Sequence, residues 1–120
     1  MTTITTHPLV EAIGRALAGG DRSSLADLYA PDATYVSVGG AHPPARPLRL
    51  EGAAIGDYLR GIPQEIRMSL EDHLVGSDGR IAFHTVCRFR GGGRSITAHL
   101  VTLDGAARIA RDEAVEAADE

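Results

Sequence analysis

The sequence predicts an α+β fold in which a curved antiparallel sheet wraps around three helices. Apolar residues recur at helical spacing in three segments of the first half. From Ile66 onward the period changes to the alternation of half-buried strands. Glycine-rich and Asp-Gly stretches separate those alternating runs, as hairpins require.

Thr5-Thr6-His7-Pro8 offers capping side chains and a proline suited to a first helical turn. Leu9, Ile13, Ala16 and Leu17 then lie on one face, and Gly19-Gly20 ends the helix. Asp21 to Ser24 supplies caps for a second short helix carrying Leu25, Leu28 and Tyr29 at i, i+3 and i+4. Pro31 is expected to stop it, since the residue before a proline is pushed from helical angles. Thr34 to Val38 reads as a strand, and Gly39 to Pro47 as a loop by its three prolines and two glycines. Glu51 to Gly61 is the third helix, with Ile55, Tyr58 and Leu59 on one side.

Strands follow over Ile66–Glu71, Ile81–Phe89 and Ser95–Leu103, with turns at Gly76–Gly79 and Gly91–Gly93. The final stretch, AARIARDEAVEAADE, is helical by propensity, yet follows an Asp104-Gly105 hairpin signal. The expectation is a strand over about 107–114 and then a frayed acidic tail. The chain is read as one domain over 1–120, with an ordered core near 7–114.

Composition narrows the function. A net charge of −4 with scattered arginines opposes nucleic-acid binding, which needs a basic face. No apolar run reaches the about 20 residues of a membrane span, and MTTITTHP lacks an apolar leader core. One cysteine, Cys87, allows no internal disulfide and suits a reducing compartment; a cytoplasmic protein is expected. Five histidines are present without an HxH, HxxxH or CxxC spacing, so neither a metal nor a cofactor is expected. Nucleophile-elbow, Walker and dinucleotide-binding glycine patterns are absent too.

ALAGGD at 16–21, LADLYAPDAT at 25–34, EGAAI at 51–55 and LDGAARI at 103–109 occur in order along nearly the whole chain. In these words the sequence resembles the SnoaL-like branch of the nuclear transport factor 2-like superfamily, with the look of ketosteroid isomerases. The resemblance implies a cone-shaped, cystatin-like α+β barrel, an apolar cavity between sheet and helices, and a homodimer through the sheet's outer face. It does not carry the isomerase residues. Where such enzymes place a basic aspartate, a donor tyrosine and a protonated aspartate, this chain has Ser37, Ile13 and His99.

His99 shares a strand face with Thr97 and Val101, and across the Asp104-Gly105 turn Asp112 falls beside it. Imidazole with a carboxylate behind it is suited to general base chemistry. A one-residue slip would turn Asp112 outward and leave His99 a satisfied buried histidine. Tyr29, Ser37, Tyr58, Phe83, Thr97 and Val101 are the candidate substrate contacts. Tyr29 is alternatively a plain core tyrosine, and Ser37 a turn former. Asp72 and His73 point to opposite faces, His84 faces outward, His42 lies in the proline loop, and Cys87 is a small inward side chain. Two functions fit. One is a cofactor-free acid–base enzyme, an isomerase, cyclase or hydratase/hydrolase acting on a hydrophobic small molecule. The other is a non-catalytic ligand-binding or dimerising module.

Overall fold

The computed structural model describes residues 7–119. Its elements run α1 (Pro8–Ala18), α2 (Arg22–Ala26), β1 (Tyr29–Gly39), β2 (Leu48–Glu51), α3 (Ala53–Arg60), β3 (Arg67–Val75), β4 (Ile81–Arg88), β5 (Arg94–Leu103) and β6 (Ile109–Asp119). The six strands form one sheet in the order β2-β1-β6-β5-β4-β3. It is α+β with a curved sheet and three helices, as expected, but the sheet is neither closed nor wholly antiparallel. β2 and β3 remain as edges, and β1 pairs with β6 in parallel.

His7 caps α1, its Nδ1 accepting from the Leu9 N–H at 3.1 Å, with Pro8 in the first turn. Thr5 and Thr6 lie outside the described residues. Leu9, Val10, Ile13, Ala16 and Leu17 are buried on the face turned to the sheet. Full burial of a side chain such as Ile13, only 2% exposed, contributes about 1.5–3 kcal/mol. The core continues through Leu25, Ile55 and Leu59 of the other helices to Tyr35, Ile81, Phe83, Val101 and Ile109 of the sheet.

Three local expectations are corrected. α2 ends at Ala26, so Tyr29 opens β1 and Pro31 lies within a strand. Pro31 is tolerated because the β1–β6 register shifts between Tyr29 and Thr34, at an irregularity that needs no N–H from it. Leu48–Glu51 forms an edge strand pairing Thr34–Ser37, and α3 therefore starts at Ala53, after Gly52 at φ 55°. The carboxy-terminal stretch is a strand, but it continues well past Ala114 to Asp119. β6 lies between β1 and β5 with ladders on both sides, and that pairing overrides the helical propensity of Ala and Glu. Glu116 is thus a strand residue rather than part of a tail.

Candidate functional site

Between the inner face of the sheet and the helices lies a cavity of about 90 Å³. Ile13 and Leu17 of α1, Leu25 of α2, Leu59 of α3, Ile62, Met68, Phe83 and Ile109 give it apolar walls. Its polar lining comes from Tyr29, Tyr35, Tyr58, Thr85, Cys87, Thr97, His99 and Glu116. Among the described residues no three His, Cys, Asp or Glu side chains converge as a metal site.

The sheet register builds the polar centre. On β5, Ser95, Thr97 and Val101 are buried and alternate with exposed or half-buried residues; His99 shares their face. Val101 stands opposite Asp112 and His99 opposite Ala114, so Asp112 is the diagonal neighbour of His99 on the same face. Asp112 has no exposed surface. Its Oδ1 and Oδ2 lie 3.0 and 3.2 Å from His99 Nδ1, and Oδ2 accepts from the Tyr29 hydroxyl at 2.6 Å. A carboxylate only accepts, so His99 Nδ1 is the donor to it, and in the neutral ring Nε2 is the acceptor nitrogen. Nε2 faces the Thr85 hydroxyl at 3.3 Å. Phe83 stacks on the imidazole, ring centroids 4.7 Å apart and planes 11° from parallel, which fixes the ring on its wall face. Burial, then the Asp112 charge, pushes the Tyr29 phenol well above its ordinary range, so it remains a donor to Asp112.

The expected residues fall into three groups. His99, Tyr29, Tyr58, Phe83 and Thr97 line the cavity. Asp112 lies behind His99, touching the cavity only through it. Ser37 and Val101 are not on the lining: Val101 is 0% exposed, packed between β4 and β6, and Ser37 is buried at 7% within β1. Tyr29 is on the wall, as a strand residue whose hydroxyl donates to Asp112. Ile13 presents only an apolar surface. Cys87 lines the cavity, and burial raises its thiol above the ordinary range, keeping it protonated and a poor nucleophile. Asp72 and His84 meet at 2.5 Å on exposed positions of β3 and β4, and neither lines the cavity.

Glu116 is the lining residue that sequence reasoning missed. The alternation Asp112, Ala114, Glu116 would have placed it inward had β6 been extended by two residues. Its register partners are Gly39 on β1 and Thr97 on β5. Gly39 (φ 98°) and Gly40 (φ 55°) make room for it: a Cβ at Gly39 would collide with the Glu116 carbonyl, and one at Gly40 with its carboxylate Oε1.

The family model described as SnoaL-like domain matches residues 10–113. No curated protein matches the chain in sequence. Among solved structures it is similar to a bacterial protein with a cystatin-like fold from Silicibacter pomeroyi (19% identity, 93% of this chain and 75% of that one, TM-score 0.71). A Catenulispora acidiphila protein with a ketosteroid isomerase-like fold, solved with trimethylamine, aligns at 21% identity over 92% of this chain and 85% of that one (TM-score 0.68). A Mycobacterium tuberculosis protein solved with estradiol-17beta-hemisuccinate aligns at 19% identity over 88% of each chain (TM-score 0.66). At these identities the likeness concerns the fold. The family match, spanning most of the chain and agreeing with that fold, is decisive: this protein belongs to the SnoaL-like domain family.

Proposed function

We propose that the protein binds a small, largely apolar molecule in this cavity and acts on it by acid–base chemistry without a cofactor. One observation carries the reading: His99 has Nδ1 fixed on a fully buried carboxylate while its ring lines the cavity. Asp112 sets the tautomer and stabilises the imidazolium that forms when Nε2 takes a proton. Tyr29 anchors Asp112, and Tyr58, Phe83 and Thr97 contact the substrate. Ser37 and Val101 support the wall from behind. The reaction class is isomerisation, cyclisation, or addition or loss of water. Steroid isomerisation is not proposed, since Ser37 and Ile13 supply neither its base nor its donor. The test is His99→Ala on a substrate found by screening: turnover should fall by about 10²–10⁴-fold. Undiminished turnover would remove His99 as the base and favour a binding module.

The same reading places the protein in the cytoplasm as a homodimer. The outer face of the sheet supports the dimer: Val115 is 57% exposed and Ile96 37%. Both sit on the side of the sheet opposite the cavity, together with Val36, Val38, Ala98 and Leu100. Such an apolar stripe is a surface that a second copy would cover.

A further inference from the structure

Glu116 is a carboxylate on the cavity wall with no hydrogen bond or ion pair to any other described residue. Glu116 is half-buried, and its side chain on the wall favours a ligand that brings a countercharge. Tyr35 and Tyr58 line the same cavity, ring centroids 6.1 Å apart and tilted by 39°. Burial holds both phenols above the ordinary tyrosine range, helped next by the Asp112 charge at Tyr35 and by the Glu116 charge at Tyr58. They are neutral aromatic faces at physiological pH, the surfaces on which alkylammonium ions rest.

No arginine lines this cavity, and the chain contains no lysine. The Arg22 guanidinium, near the Cys87 end, lies outside the lining and donates to the carbonyls of Pro63 and Ile66 at 3.2 and 2.9 Å. Among the described residues His99 is the only basic group on the wall, and it is already paired with Asp112. An anion would therefore meet the Glu116 carboxylate and no arginine or lysine on the wall. The volume, about 90 Å³, is well below the roughly 300–1,000 Å³ of sites for drug-sized ligands.

We infer that the cavity selects a compact cation, a small alkylammonium group, seated between the Glu116 carboxylate and the rings of Tyr35 and Tyr58. This rests on the cavity being the ligand site proposed above and names the chemical class it takes. The Gly39-Gly40 pair belongs to the design, because a side chain at Gly40 would occupy the space of the carboxylate.

The experiment is a calorimetric titration of the intact protein with tetramethylammonium chloride, against tert-butanol as a neutral molecule of similar bulk and sodium chloride as an ionic-strength control. Tetramethylammonium should saturate, with tert-butanol at least about tenfold weaker and sodium chloride silent. Glu116→Gln should weaken tetramethylammonium at least about tenfold, while Glu11→Gln, which removes the same charge at an exposed position of α1 outside the lining, leaves it within about twofold. If circular dichroism shows Glu116→Gln unfolded, Tyr58→Leu replaces it; Tyr58 is 41% exposed, and its loss should weaken binding by about threefold. Equal binding of tert-butanol, undiminished binding by Glu116→Gln, or no saturation by tetramethylammonium overturns the inference. Those outcomes are separate from loss of turnover in His99→Ala, which tests only the acid–base reading.

Discussion

Replacing Tyr29 by Phe removes one oxygen and keeps the ring on the cavity wall. That oxygen donates at 2.6 Å to Asp112, whose exposed surface is nil, so solvent cannot substitute for it. A hydrogen bond to a charged group is worth about 1.5–3 kcal/mol, and the apolar ring edge gained by Phe offsets a little of this. The expected loss is about 2 kcal/mol. With a urea m-value of about 1–3 kcal/mol/M, the unfolding midpoint should fall by roughly 1 M at unchanged slope. Because Tyr29 and His99 share one acceptor, Tyr29→Phe and His99→Ala should not add. Their double-mutant cycle should give a coupling of about 1 kcal/mol. Urea unfolding followed by circular dichroism measures both. A Tyr29→Phe midpoint at or above that of the wild type would mean that Asp112 does not depend on Tyr29, and a coupling of zero would dissolve the three-residue centre.

Stability should decline at alkaline pH, beginning near pH 9. Cys87 and the three tyrosines hold their protons more tightly folded than unfolded, above ordinary values of 9.0 and 10.0, so their contribution is complete below those values and lost as pH rises through the folded ones. Melting temperatures from pH 8 to 11 check this, and a flat profile would contradict it. Gly39→Ala should destabilise by at least about 2 kcal/mol in urea unfolding, because φ is 98° and the new methyl meets the β6 backbone. Val115→Glu should convert the proposed dimer to monomer in light scattering while leaving circular dichroism unchanged; a wild-type monomer would refute the outer-face interface.

His99 and Asp112 were legible together because strand alternation fixes faces, and a two-strand register fixes which side chains can meet. The role of Tyr29 was not legible. Leu25, Leu28 and Tyr29 have helical spacing, and only the short length of α2, with the irregular pairing around Pro31, turns that run into a strand start. β2 was missed because LRLE follows a proline-rich loop and is too short to show a period. Glu116 was lost to the propensity of AVEAADE, which describes an isolated peptide and not a strand held on both sides. The parallel pairing of β1 and β6 joins distant parts of the chain, and no local pattern reports it. Cavity volume is likewise a property of side-chain packing, so the ligand size emerged only with the structure.

A thermal-shift screen of the wild type against small amines, alcohols, ketones and epoxides, with steroids as the oversized control, tests whether the cavity is a ligand site. A ligand at a hundred times its dissociation constant stabilises the fold by about 2.7 kcal/mol, a shift of several degrees. Saturable stabilisation by a compact molecule, with no response to the steroids, is the expected result. A blank among the compact molecules, or a response confined to the steroids, would contradict a small polar-centred pocket built around His99 and Asp112.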